Sequence, residues 1–247
     1  MTPRNATAAV IGAGDFIGSA IARKFASEGY TVFAGRRTAD KLSHLKSDIE
    51  SGGGTCEARA LDARKEEDVV KFLAEADAHA PLEVCVFNPG ANVNFPILET
   101  TERVFRKVWE LACYGGFLTG REAARRMLPR GSGSIFFTGA TASLRGGVGY
   151  AAFASAKFGL RAVALSLARE LGPMGIHVAH LIIDAGVDTA FVRERIKARG
   201  GEEAVAKIEP DQLMNPESIA DAYWYLHSQS RDGWTFELDL RPFAERW

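Results

Sequence analysis

The chain has 247 residues and a formal charge of −1, with 47% apolar and 25% charged residues. These values fit one globular α/β chain with a large core and exclude a disordered or strongly basic, nucleic-acid-coating protein. The three cysteines form no C-x-x-C pair, so neither a zinc site nor a disulfide framework is expected, and a reducing cytoplasm fits best. No basic region followed by a long apolar stretch opens the sequence. No signal peptide and no membrane-crossing span are therefore expected.

Short β-branched or apolar runs alternate with longer helical patterns along the chain. Strands are predicted over 7–11, 31–34, 55–61, 82–87, 134–138, 176–183 and 234–240. Helices are predicted over 17–28, 39–50, 65–78, 101–128, 151–171 and 216–227. Gly29 stands where a left-handed helix end belongs, and Asn215-Pro216 reads as a cap followed by a proline in the first turn. Strand–helix alternation predicts a doubly wound (Rossmann-type) α/β fold, a mostly parallel seven-stranded sheet with helices on both faces, in a single domain over 1–247. The polar stretch 188–211 predicts a mobile helical flap on the substrate side.

The first strand runs into Gly12-Ala13-Gly14-Asp15-Phe16-Ile17-Gly18 at the start of a helix. Glycines there let the backbone approach a pyrophosphate, and the helix start offers free N–H groups and a positive dipole end. A tight turn alone would also use glycines; a strand before and a helix after make this a dinucleotide loop. The second strand is followed by Arg36 and Arg37, with no acidic residue to hold a ribose 2′-hydroxyl. Arginines suit the 2′-phosphate of NADP(H), with NAD(H) still possible, although two exposed arginines opening a helix would look the same. Asp15 argues mildly against a phosphate nearby.

Taken together these motifs resemble the short-chain dehydrogenase/reductase family over almost the whole length. Leu61-Asp62 follows the third strand where the family's aspartate contacts adenine. Asn88-Pro89-Gly90-Ala91 resembles the family's N-A-G turn, and Lys157 lies in a helix similar to the family's long catalytic helix. Ala185, Gly186, Val187 and Thr189 fall in a segment resembling the P-G-x-x-T stretch over the nicotinamide. The resemblance implies an NAD(P)-dependent oxidoreductase with a small-molecule substrate, assembled as a homodimer or homotetramer; the charge of −1 and the lack of a long apolar span predict neither nucleic acid nor membrane as partner.

The departures fall on catalysis. The family's active site is Tyr-x-x-x-Lys with a preceding serine and an asparagine in the previous long helix. The matching positions hold Phe153, Ala140 and Cys113, and only Lys157 remains. Phenylalanine deletes the proton donor, alanine the hydroxyl that holds the substrate oxygen, and cysteine is a poor anchor for a relay water. General acid–base help is worth about 10²–10⁴-fold. Tyr150, three positions before Phe153, is a candidate replacement donor or a pocket-wall aromatic; Asn94 is a further pocket candidate. Two functions stay open: an oxidoreductase acting on a small carbonyl, alcohol or imine through an altered proton relay, and a non-catalytic dinucleotide-binding protein. His177 and His180, three apart on a strand, point to opposite faces and form no metal pair.

Overall fold

In the computed structural model, which describes residues 2–245, seven strands form one parallel sheet. They are β1 (Thr7–Ile11), β2 (Thr31–Arg36), β3 (Thr55–Ala60), β4 (Leu82–Phe87), β5 (Gly133–Thr138), β6 (Ile176–Ile183) and β7 (Glu237–Leu240). Their order is β3-β2-β1-β4-β5-β6-β7. The direction of winding therefore reverses between β1 and β4, and an open sheet of this kind leaves a crevice at the carboxyl ends of those two strands.

Alternation along the strands explains the two layers of helices. In β1, Ala8 and Val10 face α1 (Ile17–Ser27), α2 (Ser43–Ser51) and α8 (Pro216–His227). Ala9 and Ile11 face α3 (Glu66–His79), α5 (Gly115–Met127) and α6 (Ala151–Leu171). Both faces are covered, so the central strands are apolar throughout rather than alternating. A third, smaller apolar cluster joins Val108 of α4 (Glu102–Trp109) to Phe153 and Ala156 of α6, next to the crevice.

Several boundaries differ from the sequence reading. β2 runs two residues further, so that Arg36 itself pairs with Ala60 of β3. β7 begins at Glu237 instead of 234: Trp234 lies flat on His177, ring centroids 4.9 Å apart, and the Thr235 N–H donates to the Gln229 side chain at 2.8 Å. These residues are used by a turn and cannot join the ladder. The helix expected over 101–128 is α4 and α5 joined through a π-helical stretch, Glu110–Tyr114, that contains Cys113. The polar stretch 188–211 holds α7 (Ala190–Ala206), which is interrupted at Gly201 (φ 70°) and buries none of its residues.

The sequence reading found no membrane-length span. By length and composition Ala151–Met174 meets that description, with mean hydropathy 1.3. In the fold Leu160, Ala164 and Leu171 pack against the sheet, Phe158 and Leu165 are exposed, and the same helix carries Lys157 and Arg161, both bonded to other elements.

Candidate active site

The glycine loop closes as it does because nothing larger than glycine fits. Gly12 has φ +81°, and a Cβ on Gly18 would stand 2.3 Å from the Gly12 carbonyl oxygen. Gly14 and Gly90 are the reverse case. The nearest atom to a Cβ on Gly14 would be 3.9 Å away, and a Cβ on Gly90 would meet nothing within 4 Å. Both open onto the crevice, leaving backbone bare where a ligand can approach it.

Asn88 holds the loop. Its Nδ2 donates to the Gly12 carbonyl at 3.0 Å, and its Oδ1 accepts from the Thr138 hydroxyl at 3.0 Å. Thr138 in turn pairs with the Tyr223 hydroxyl at 2.7 Å. Since the threonine proton goes to Asn88, Tyr223 is the donor in that pair.

On one side of the loop a groove of about 450 Å³ is lined by Gly12, Gly14, Arg36, Arg37, Lys41 and Leu61, among others. Arg36 donates to Asp15 at 2.7 Å, so the two residues that argued in opposite directions neutralise each other. Arg37 and Lys41 also face this groove. Asp62 is not among its lining residues: its carboxylate is gripped by Arg64, Nε to Oδ1 at 2.9 Å and Nη2 to Oδ2 at 2.5 Å. That bond, against the opposing effect of burial, holds the carboxyl below the usual carboxylate range.

On the other side a cavity of about 590 Å³ extends from Asp15, Phe16, Ile17 and Gly18 past Asn88 and Gly90 to Ala185, Val187 and Thr189. Lys157 lies on its floor, almost fully buried, and donates to the carbonyls of Thr138 at 2.7 Å and Pro89 at 3.3 Å. Burial pushes its ammonium down to about 8, with nearby Cys113 acting weakly in the other direction. Its nitrogen is 5.9 Å from the centre of the Phe153 ring. Phe153, Ala140 and Tyr150 line the same cavity. Cys113 does not; it is buried behind Phe153, where only a glycine at 159 leaves room for its sulfur. Asn94 does not line it either, because its amide donates to the Val148 carbonyl at 2.9 Å and ties two loops together. Gly186 is likewise outside the lining; its carbonyl accepts from the Met214 N–H. Trp109 is half exposed, stacked on Tyr114.

The Tyr150 hydroxyl accepts from Arg195 Nη2 at 2.7 Å and is not bonded to Lys157. Arg145, which also lines the cavity, makes a two-pronged pair with Asp184, each bond 3.0 Å. Asp184 is fully buried and takes a third bond from Arg241 at 2.9 Å. Burial raises its pKa, but the Thr141 hydroxyl and the two guanidiniums outweigh this and hold it below the usual range. Under Gly139 lies the buried His180, whose Nδ1 meets Glu237 at 3.3 Å and whose Nε2 has no partner among the described residues. Burial and the Lys157 charge push it down to about 4, so it is neutral near pH 7. Arg145, Arg195, Lys41 and His180 were not singled out as site residues in the sequence, where no motif marks them.

The comparisons with known proteins agree with this layout. The family model for short chain dehydrogenase matches residues 6–200. A crystal structure of a short-chain dehydrogenase from Rhodopseudomonas palustris is 60% identical, covers 98% of this chain and 100% of its own, and superposes with a TM-score of 0.84. An alcohol dehydrogenase from Thermococcus sibiricus, solved with 5-hydroxy-NADP, is 26% identical over 97% of each chain, with a TM-score of 0.83. The uncharacterised oxidoreductase YuxG of Bacillus subtilis is 29% identical over 91% of this chain, which spans 35% of that longer protein. The chain belongs to the short-chain dehydrogenase family and is an NAD(P)-dependent oxidoreductase of that type.

The Asn88 brace generates a direct expectation. Asn88→Ala removes the side-chain bond to the Gly12 carbonyl, which keeps only the Gly14 N–H, and the acceptor of the Thr138 hydroxyl proton. Urea unfolding should show a loss of about 1–3 kcal/mol. Amide exchange should quicken in the loop 12–18 more than in β6.

Proposed function

We propose that the chain moves a hydride between NADP(H) and a small carbonyl or alcohol substrate, with a proton path that no longer runs through a tyrosine. The observation that carries the reading is the placement of Lys157: a buried ammonium where the cofactor groove meets an apolar cavity whose nearest walls are Phe153 and Ala140. The glycine loop is open at Gly14, where a pyrophosphate would lie, so the residues present fit a dinucleotide. When bound, that cofactor supplies the hydride. Gly12, Gly14, Asp15, Phe16, Ile17 and Gly18 would cradle its phosphates. Leu61 and the segment after Ala185 would flank its two ends.

NADP is preferred over NAD because Arg37 and Lys41 face the groove and Asp15 is already neutralised by Arg36. Titration calorimetry should show NADPH binding more tightly than NADH. Arg37→Ala should narrow that gap by about ten-fold, the worth of one charge-assisted contact. Equal affinities in the unaltered protein would remove the preference.

Lys157 is the acid that remains. It is protonated below about pH 8 and next to the cavity. A tyrosine would deliver a proton at the carbonyl oxygen more directly, so the substrate is one whose carbonyl carbon is already electron-poor. A cationic imine fits less well, because a buried ammonium beside the cavity repels it. NADPH oxidation over a panel of activated carbonyls should be present below pH 8 and fall as pH rises through that value, as Lys157 loses its proton. The combined change Phe153→Tyr, Ala140→Ser and Cys113→Asn should extend activity to unactivated ketones, more than Phe153→Tyr alone, since groups acting as a unit are not additive. Failure to oxidise NADPH with any panel member would overturn the hydride-transfer reading.

The exposed aromatic residues Phe105, Trp109, Phe117 and Phe158 on α4 to α6 favour a homo-oligomer. The aromatic-rich carboxyl-terminal segment, 234–247, is a second candidate face, of which residues 246 and 247 lie outside the described residues. Light scattering at micromolar concentration should give a dimer or tetramer mass; a monomer mass would contradict it.

A further inference from the structure

Arginines are frequent around this site, and most meet a carboxylate. Arg36 meets Asp15, Arg145 and Arg241 meet Asp184, and Arg193 meets Asp188. Arg195 meets none among the described residues. Its partners are the Tyr150 hydroxyl, to which Nη2 donates at 2.7 Å, and the Phe191 ring, whose centre is 5.7 Å from the guanidinium carbon.

The pair offers donors and no acceptor. The tyrosine oxygen accepts from Arg195, and its own proton has no acceptor among the described residues. The guanidinium uses one of its five N–H groups on the tyrosine. Tyr150 and Phe191 both line the 590 Å³ cavity. Much of the remaining wall is apolar, including Phe16, Ala142, Phe153 and Ile183. Arg195 is itself half-buried. Arg195 is not itself a lining residue, but its contacts with Tyr150 and Phe191 hold the guanidinium at the cavity's edge, where a neutral, apolar ligand would give it no counter-charge. A ligand oxygen bearing negative charge would meet the free N–H groups and the phenol together, and a carboxylate matches the planar fork of a guanidinium.

We propose that Arg195 and Tyr150 form a carboxylate-recognition pair, so that the substrate is an oxo or hydroxy acid with an apolar body. The substrate class rests on the hydride-transfer reading above; the pair does not. The carboxylate lies against both, accepting the phenol proton and the guanidinium N–H groups not spent on Tyr150, and the body occupies the apolar cavity. The same contact fastens α7. That helix buries no residue of its own and is held at its start by the Thr189 hydroxyl, which caps Val192 at 3.1 Å. A bound acid adds a bridge from α7 to the first turn of α6.

The test uses the NADPH complex of the full chain. The probes are phenylpyruvate and 4-methyl-2-oxopentanoate, each beside its methyl ester. Binding is read from nicotinamide fluorescence, and NADPH oxidation is followed in the same samples. Each acid should bind about ten-fold or more tightly than its ester, the range for hydrogen bonds to a charged group. Arg195→Met should abolish that preference, Arg195→Lys should keep part of it, and Tyr150→Phe should weaken the acids several-fold. NADPH affinity should be unchanged in all three. Acid and ester binding alike in the unaltered protein overturns the pair, as does a preference that survives Arg195→Met or no acid binding at all. Selective binding of acids without NADPH oxidation supports the pair and counts against hydride transfer. Oxidation with acids and esters alike does the opposite.

Discussion

One hydrogen-bond chain holds the working edge of the sheet together. It runs from the Tyr223 hydroxyl to Thr138, from Thr138 to Asn88, and from Asn88 to the Gly12 carbonyl. In four residues it joins α8, β5, the end of β4 and the glycine loop, on both sides of the point where the winding reverses. The position of Lys157 depends on the same frame, because its two acceptors are the carbonyls of Thr138 and Pro89, the residue after Asn88. Buried polar groups linked in this way are either all satisfied or costly, so the chain fixes one geometry. A Cβ on Gly12 would stand 2.9 Å from the Pro89 nitrogen, so the two loops also meet with no space to slide.

Charge around the crevice is arranged by the same economy. Asp184 lies fully buried at the end of β6 and is tolerable there because two guanidiniums and the Thr141 hydroxyl surround it. Arg145 is thereby held rigidly at the cavity wall, and Arg241 fastens the chain after β7 to the same carboxylate. Asp15 and Arg36 cancel across the mouth of the 450 Å³ groove, leaving Arg37 and Lys41 to set its sign. An arginine without a counter-ion in such surroundings marks a place where the ligand supplies one.

The sheet was legible because buried parallel strands are continuous apolar runs, and six of the seven began within a residue of where those runs begin. β7 was not, since Trp234 and Thr235 look like strand residues and are taken up by His177 and Gln229. The π-helical stretch around Cys113 also left no trace, because hydrophobic spacing does not distinguish one added residue in a long helix. The glycine loop, Asn88 and Lys157 were legible through motif spacing. Asn94 was misleading: an amide in a crevice loop reads as a pocket group and here ties loop to loop. The polar pairs were illegible for a simpler reason. Asp15 and Arg36 are 21 residues apart, Arg145 and Asp184 39, and Tyr150 and Arg195 45, so only the fold brings them together.

The substitutions at 153, 140 and 113 form one change in physical terms. A tyrosine at 153 would bring a hydroxyl toward a buried ammonium; phenylalanine presents a ring face 5.9 Å from it, which still offers a weak electrostatic attraction. The ammonium then donates to two carbonyls, which favour its charged form. Burial works against that charge and brings the group into the range where it can give up a proton near neutral pH. Restoring only the hydroxyl at 153 would place a polar group beside Ala140, whose side chain offers it no hydrogen bond. Cys113, packed against Gly159, would still offer only a weak sulfur partner. Each partial reversal leaves a buried polar group short of a partner, whereas the present set leaves none at these three positions, which is why the three residues hang together.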